Sequence, residues 1–164
     1  MLAVSASRTH VTIDNMIIKN GNFNGRIMEL QSLRATISRL TVEVSTSYHV
    51  LYFEDTIISM EDSTIGQNEV YNDCVSLYIS SLTLRNITFV GNLVHGEMYS
   101  LIQMRFSQLE IRESLFENNN AGLSSILALE YTVAINQTTF RSVDSIEFHC
   151  SDILSYSNNT AILA

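Results

Sequence analysis

The chain has 164 residues, of which 46% are apolar, and carries a net charge of −8 with no proline and no tryptophan. That length suits one domain, and that apolar fraction suits a packed core rather than a disordered chain. The acidic balance argues against a nucleic-acid partner, and no run of about 18 apolar residues exists to span a membrane as a helix.

Read in chain order, an apolar triplet at i, i+2 and i+7 recurs six times: Val11/Ile13/Ile18, Ala35/Ile37/Val42, Ile58/Met60/Ile65, Leu82/Leu84/Phe89, Leu109/Ile111/Phe116 and Val133/Ile135/Phe140. The first members lie 24, 23, 24, 27 and 24 residues apart, and a seventh copy begins at Leu154/Tyr156/Ala161. Apolar spacing of two marks a strand with one buried face; a helix needs i+3 and i+4. A period of this length means a coil stacked on itself.

Each coil carries a second alternating run: Met28/Leu30, Leu51/Phe53, Val75/Leu77/Ile79, Ile102/Met104/Phe106, Leu127/Leu129 and Ile146/Phe148/Cys150. These are expected to point inward. One residue past each first anchor stand Thr12, Thr36, Ser59, Thr83, Glu110, Ala134 and Ser155, an expected outward ladder. Four past the anchor come Asn15, Arg39, Asp62, Asn86, Glu113, Gln137 and Asn158, all polar, as a solvent-facing bend requires.

The expected fold is therefore all-β: a right-handed parallel β-helix of about six to seven coils of about 24 residues. Leucine-rich repeats share the triplet, but they place Asn or Cys at i+5, where this chain has Met16, Leu40, Ser63, Ile87, Ser114 and Thr138. The second strand per coil also disfavours a helical return. Solenoids need polar caps, and neither end shows one. The expectation is a single β-helical segment over 1–164 of a longer chain, its end coils meeting further coils or other protein chains. Cys74 and Cys150 are expected to be free thiols, because three rungs of about 4.8 Å separate them by about 14 Å, beyond disulfide reach of about 7 Å.

Two stretches, Leu82-Thr-Leu-Arg-Asn-Ile-Thr-Phe89-Val-Gly-Asn92 and Leu109-Glu-Ile-Arg-Glu-Ser-Leu-Phe116-Glu-Asn-Asn119, resemble coils of pectin-lyase-like right-handed β-helices. In particular they resemble the FxxN-type repeats of polymorphic outer-membrane proteins and related surface adhesins. Ile65-Gly-Gln-Asn68 is a weaker copy; Val42 is followed by Ser45 and Phe140 by Val143, which depart from the pattern. The resemblance implies stalks, adhesion surfaces or polysaccharide-acting enzymes.

For such enzymes the resemblance implies clustered carboxylates, which must sit within about 5–10 Å for acid–base work on a glycosidic bond. The best candidates are Glu54-Asp55 and Glu61-Asp62, with Arg39 and Arg85 on flanking coils, a mixture that reads more readily as a solvated ladder. His10, His49, His95 and His149 have no metal-ligand spacing, and no Ser/His/Asp arrangement is visible. No catalytic residue, metal or cofactor is expected. Sequons at Asn86, Asn136 and Asn158 share one bend and are candidate glycosylation acceptors. Val50, Tyr52 and Tyr78 are expected to face outward as a platform for a glycan or partner. Phe89, Phe116 and Phe140 are expected to stack in the core. The expected role is a structural or adhesive rod or spacer of a surface or extracellular protein, mediating assembly or protein and glycan contact. The alternative is a polysaccharide-binding or polysaccharide-processing β-helix.

Overall fold

The computed structural model describes the backbone of residues 2–5, 9–122, 124–129, 132–141, 146–149, 152–157 and 159–162, and side chains over 2–3, 9–122, 132–141 and 159. The chain is an all-β parallel solenoid of about five turns of ~24 residues. Each turn visits four short walls. The first wall stacks Leu2–Ser5, Arg26–Gln31, His49–Glu54, Val75–Tyr78, Ser100–Arg105, Ser124–Leu129 and Ile146–His149. The second begins with His10–Asp14 and Arg34–Ser38, and the third with Ile17–Lys19 and Thr41–Glu43. In two turns these walls run together as Ile57–Gly66 and Ser81–Val90. The fourth wall stacks Thr46–Ser47, Glu69–Val70, Leu93–Val94 and Asn120–Ala121, and a bridge from Asn22 to Thr46 extends it by one rung.

Pairing is parallel and in register, so equivalent side chains form columns. Leu82, for example, pairs with Ile58 on one side and Leu109 on the other. From Val42 to Phe140 the i+7 column is fully buried, with Phe116 between Phe89 and Phe140 at ring-centroid separations of 4.9 Å and 4.8 Å and interplanar angles of 11° and 19°. Burying each ring contributes on the order of 2–3 kcal/mol.

Three corners per turn are made by single residues with positive φ. One column holds Asn15, Arg39, Asp62, Asn86, Glu113 and Gln137; a second Asn20, Val44, Gln67, Gly91 and Asn118; a third Ser32, Asp55, Ile79 and Phe106. Asn, Asp and Gly tolerate this backbone, whereas β-branched and bulky residues strain it. At each corner the next residue turns inward, and polar ones bridge rungs. At the second corner Ser45, Asn68, Asn92 and Asn119 form a buried ladder. Each Asn Oδ1 accepts the backbone N–H of its column neighbour at 3.0–3.2 Å, as from Asn68 to Asn92. Each Nδ2 donates to a carbonyl of the preceding turn: Val42, Ile65 and Phe89. The third residue after Phe89 and Phe116 is thus an internal strut. Serine hydroxyls act alike elsewhere, with Ser80 Oγ accepting from Thr56 N and Ser114 Oγ from Ile87 N.

The inward pattern of the first wall departs from strict alternation. Val50 is buried and not outward, because two consecutive residues enter the core where each first-wall strand begins: Ile27-Met28, Val50-Leu51, Cys74-Val75 and Leu101-Ile102. Both Val50 N and Leu51 N donate to the Cys74 carbonyl, a local bulge that turns Val50 in. Ile79 and Phe106 are not inward either; they are corner residues, 52% and 58% exposed. Backbone register pairs Ile126 and Ala128 with Ile102 and Met104, so Leu127 and Leu129 fall in the columns of Gln103 and Arg105, one residue off the expected phase. A register shift in the last rung sets Ile153 opposite Val133 and Ser155 opposite Ala134, so Leu154 is the irregular residue rather than the anchor. Cys74 is buried and free; Cys150 lies outside the described residues.

Candidate functional site

The connection from the fourth wall to the first is where the turns differ. Between the inward residues of the two walls it spans two residues in one turn (Tyr48, His49), three in the next (Tyr71–Asp73) and six in the next (His95–Ser100). This accounts for the 27-residue spacing. An insertion into a regular coil appears as a loop on one face. Its backbone passes so close to the following turn that a Cβ on Gly122 would lie 2.2 Å from the Gly96 carbonyl oxygen, so only glycine fits there.

Beside this loop lies a notch of about 320 Å³ lined by Tyr52, Asn72, Ser76, Tyr78, Tyr99, Gln103 and Arg105 among others. Its floor is a buried polar network. Ser100 N–H donates to Asp73 Oδ1 at 2.9 Å and Ser76 Oγ donates to Asp73 Oδ2 at 3.3 Å. His49 Nδ1 is 3.1 Å from the Asp73 carbonyl and 3.0 Å from Ser76 Oγ, while Asn72 Nδ2 is 3.3 Å from His49 Nε2. The carbonyl can only accept, so Nδ1 carries the proton and Nε2 accepts from Asn72. Burial pushes the Asp73 carboxyl up to about 6, and burial pulls His49 below its ordinary value, so the imidazole stays neutral. Burial also pushes the Cys74 thiol up, which keeps it protonated and inert.

Ser, His and Asp are therefore brought together, which their sequence spacing did not reveal. In this geometry neither ring nitrogen is free to take the Ser76 proton, and that proton points at Asp73. The arrangement holds the notch floor in shape and does not activate a nucleophile.

Tyr52 and Tyr78 both face outward, in adjacent columns rather than one. Tyr52 is half-buried beneath the Arg26 guanidinium, 3.4 Å from ring centroid to Cζ, and its hydroxyl donates to Glu54 Oε2 at 3.3 Å. Tyr78 is 37% exposed and meets Phe106 edge-on at 6.0 Å. Val50 is no part of this platform. A second aromatic row, Tyr48, Tyr71 and His95, runs along the opposite rim of the first wall, with Tyr71 and His95 stacked at 4.9 Å. The shared column position three rungs deep was the sequence signal for it.

The carboxylate candidates do not converge. Asp62 accepts from Asn86 Nδ2 at 2.7 Å, Arg39 pairs with Asp14, and Arg85 pairs with Glu113 at 3.3 Å. Glu54 is engaged by Gln31 and Tyr52 on another wall. Among the described residues no group of three or more His, Cys, Asp or Glu side chains gathers as a metal site. Asn86 is exposed at its corner with φ 53°, whereas Asn136 is half-buried one residue before the corner, opposite Arg112; Asn158 lies outside the described residues. Compared with protein-family models, curated proteins and solved structures, the chain matches none. Among the described residues no helix is long and apolar enough to cross a membrane.

Proposed function

We propose that the chain is a rigid rod or spacer of a surface or extracellular protein whose first wall is its contact face for assembly or adhesion. One observation carries this reading: aromatic and apolar groups line both rims of that wall, with exposed Tyr48 and Tyr71 and half-buried His95 on one side and exposed Tyr78, Ile79 and Phe106 on the other. The second and third walls present mainly polar columns outward, Thr36, Ser59 and Thr83 in one and Thr41, Thr64 and Thr88 in the other, with cross-rung ion pairs such as Lys19–Glu43 at 2.8 Å; Ile57 and Ile17 are exposed apolar residues there. Exposed apolar surface rimmed by polar groups marks a contact site. The buried ladders tie each rung to the next, which supports stiffness along the axis. The resemblance to FxxN-type surface repeats points the same way, and Asn86 is the sequon best placed to carry a glycan. Retention of protein-coated beads on a glycoprotein-coated surface tests the reading. Ile79→Lys with Phe106→Lys should abolish retention, and Thr64→Lys with Thr88→Lys should leave it; equal losses would overturn it.

A second reading, polysaccharide binding, is favoured by the notch. Polysaccharide processing has less support, because Glu54-Asp55 and Glu61-Asp62 lie at two different corners of the turn and Glu54 and Asp62 are already hydrogen-bonded.

A further inference from the structure

The notch differs from the rest of the surface in three independent ways. It is walled by the inserted loop through Tyr99, its floor is a satisfied buried network, and its mouth is lined with unspent polar groups. Among the described residues no hydrogen bond engages the Gln103 amide or the Arg105 guanidinium, while most charged groups on other walls are paired across rungs. Planar polar groups beside the exposed Tyr78 ring match a ligand that has vicinal hydroxyls and a C–H face.

Charge decides between ligand classes. Arg26 is already paired with Glu29, and Glu54 and the buried Asp73 stand against Arg105, whose charge already acts on Asp73. The notch therefore has no net positive charge to draw in a carboxylate or phosphate. A neutral ring with several hydroxyls satisfies Gln103 and Arg105 at once, and lays its apolar face on Tyr78. We infer that this notch is a binding site for one neutral saccharide residue of a larger glycan, seated between Tyr78 and the Gly96–Tyr99 loop. The inference rests on the reading of the first wall as the contact face.

Titration of the 164-residue chain with cellotetraose, chitotetraose and tetragalacturonate, followed by amide chemical shifts, tests it. A neutral tetramer should bind saturably and move the amides of Tyr52, Ser76 and Gln103. Gln103→Ala and Tyr78→Ala, both at exposed or half-exposed positions on different rungs, should each weaken binding at least tenfold with unchanged melting. Thr64→Ala on the third wall should leave it unchanged. The inference is overturned if no neutral tetramer binds, if only tetragalacturonate binds, or if the shifts map to another wall. Should sugars fail while Phe106→Lys with Ile79→Lys still removes bead retention, the contact-face reading stands and the saccharide site alone falls.

Discussion

The first wall and the third wall are built on the same inward logic and dressed differently. Both bury an unbroken apolar column: Met28, Leu51, Val75 and Ile102 in one, Val42, Ile65, Phe89, Phe116 and Phe140 in the other. Outward, the third wall runs at constant length and repeats Thr41, Thr64, Thr88 and Thr139, interrupted by Leu115 and preceded by Ile17. The first wall changes residue at every rung, from Glu29 to Tyr52 to Ser76 to Gln103, and receives a connection that lengthens to six residues. Stacking constrains the columns that face the core or the corners. A column free to vary is where another requirement acts.

The largest break in this contrast is expected in the shared core. Phe116→Ala leaves a cavity between two stacked rings and should cost about 3–5 kcal/mol in chemical denaturation. Next comes the second corner. Asn92→Ala removes the acceptor of Asn68 N–H and the donor to the Ile65 carbonyl, both buried, and should cost about 3 kcal/mol. Asn92→Ser should recover part of that, since Ser45 accepts from Gly21 N at 3.2 Å in the same column.

The notch floor gives a pH signature of its own. Asp73 has a folded value of about 6, above its unfolded value, so the native state holds the extra proton between about pH 4 and 6. Stability from this group is full below about pH 4 and falls as pH rises through 6, by up to ~3 kcal/mol. His49 acts oppositely: its lowered value means stability is present above about pH 6.5 and lost as pH falls below it. Asp73→Asn keeps an acceptor for Ser100 N–H, and should raise stability at pH 7.5 relative to wild type while matching it at pH 4.5. Melting curves at the two values read the difference directly. The smallest effect is at the strained corner: Ile79→Asn relieves a β-branched residue with φ 51° and should stabilise by about 1 kcal/mol.

The solenoid was legible because its period is strict where burial is strict. The triplets Leu82/Leu84/Phe89 and Leu109/Ile111/Phe116 are inward columns, and the i+4 residues are corners, as their spacing implies. The FxxN pattern was visible as a resemblance, but not as a ladder, because the hydrogen bonds that use Asn68, Asn92 and Asn119 run between residues 23–30 apart. The first wall was misread at Val50, Ile79 and Phe106 because a bulge at its start and a left-handed residue at its end both invert alternation, and neither carries a Gly or Pro to announce it. The notch was illegible for a related reason. His49 lies 24 residues from Asp73 and 27 from Ser76, so only the stacking of rungs brings them together.

All of this depends on adjacent turns lying rung above rung, and ring-to-ring NOEs of Phe116 test that most directly. Phe116 should show cross-peaks to both Phe89 and Phe140, with none between Phe89 and Phe140 themselves. Cross-peaks from Phe116 to only one of them, or a direct Phe89–Phe140 contact, would contradict the stacked solenoid.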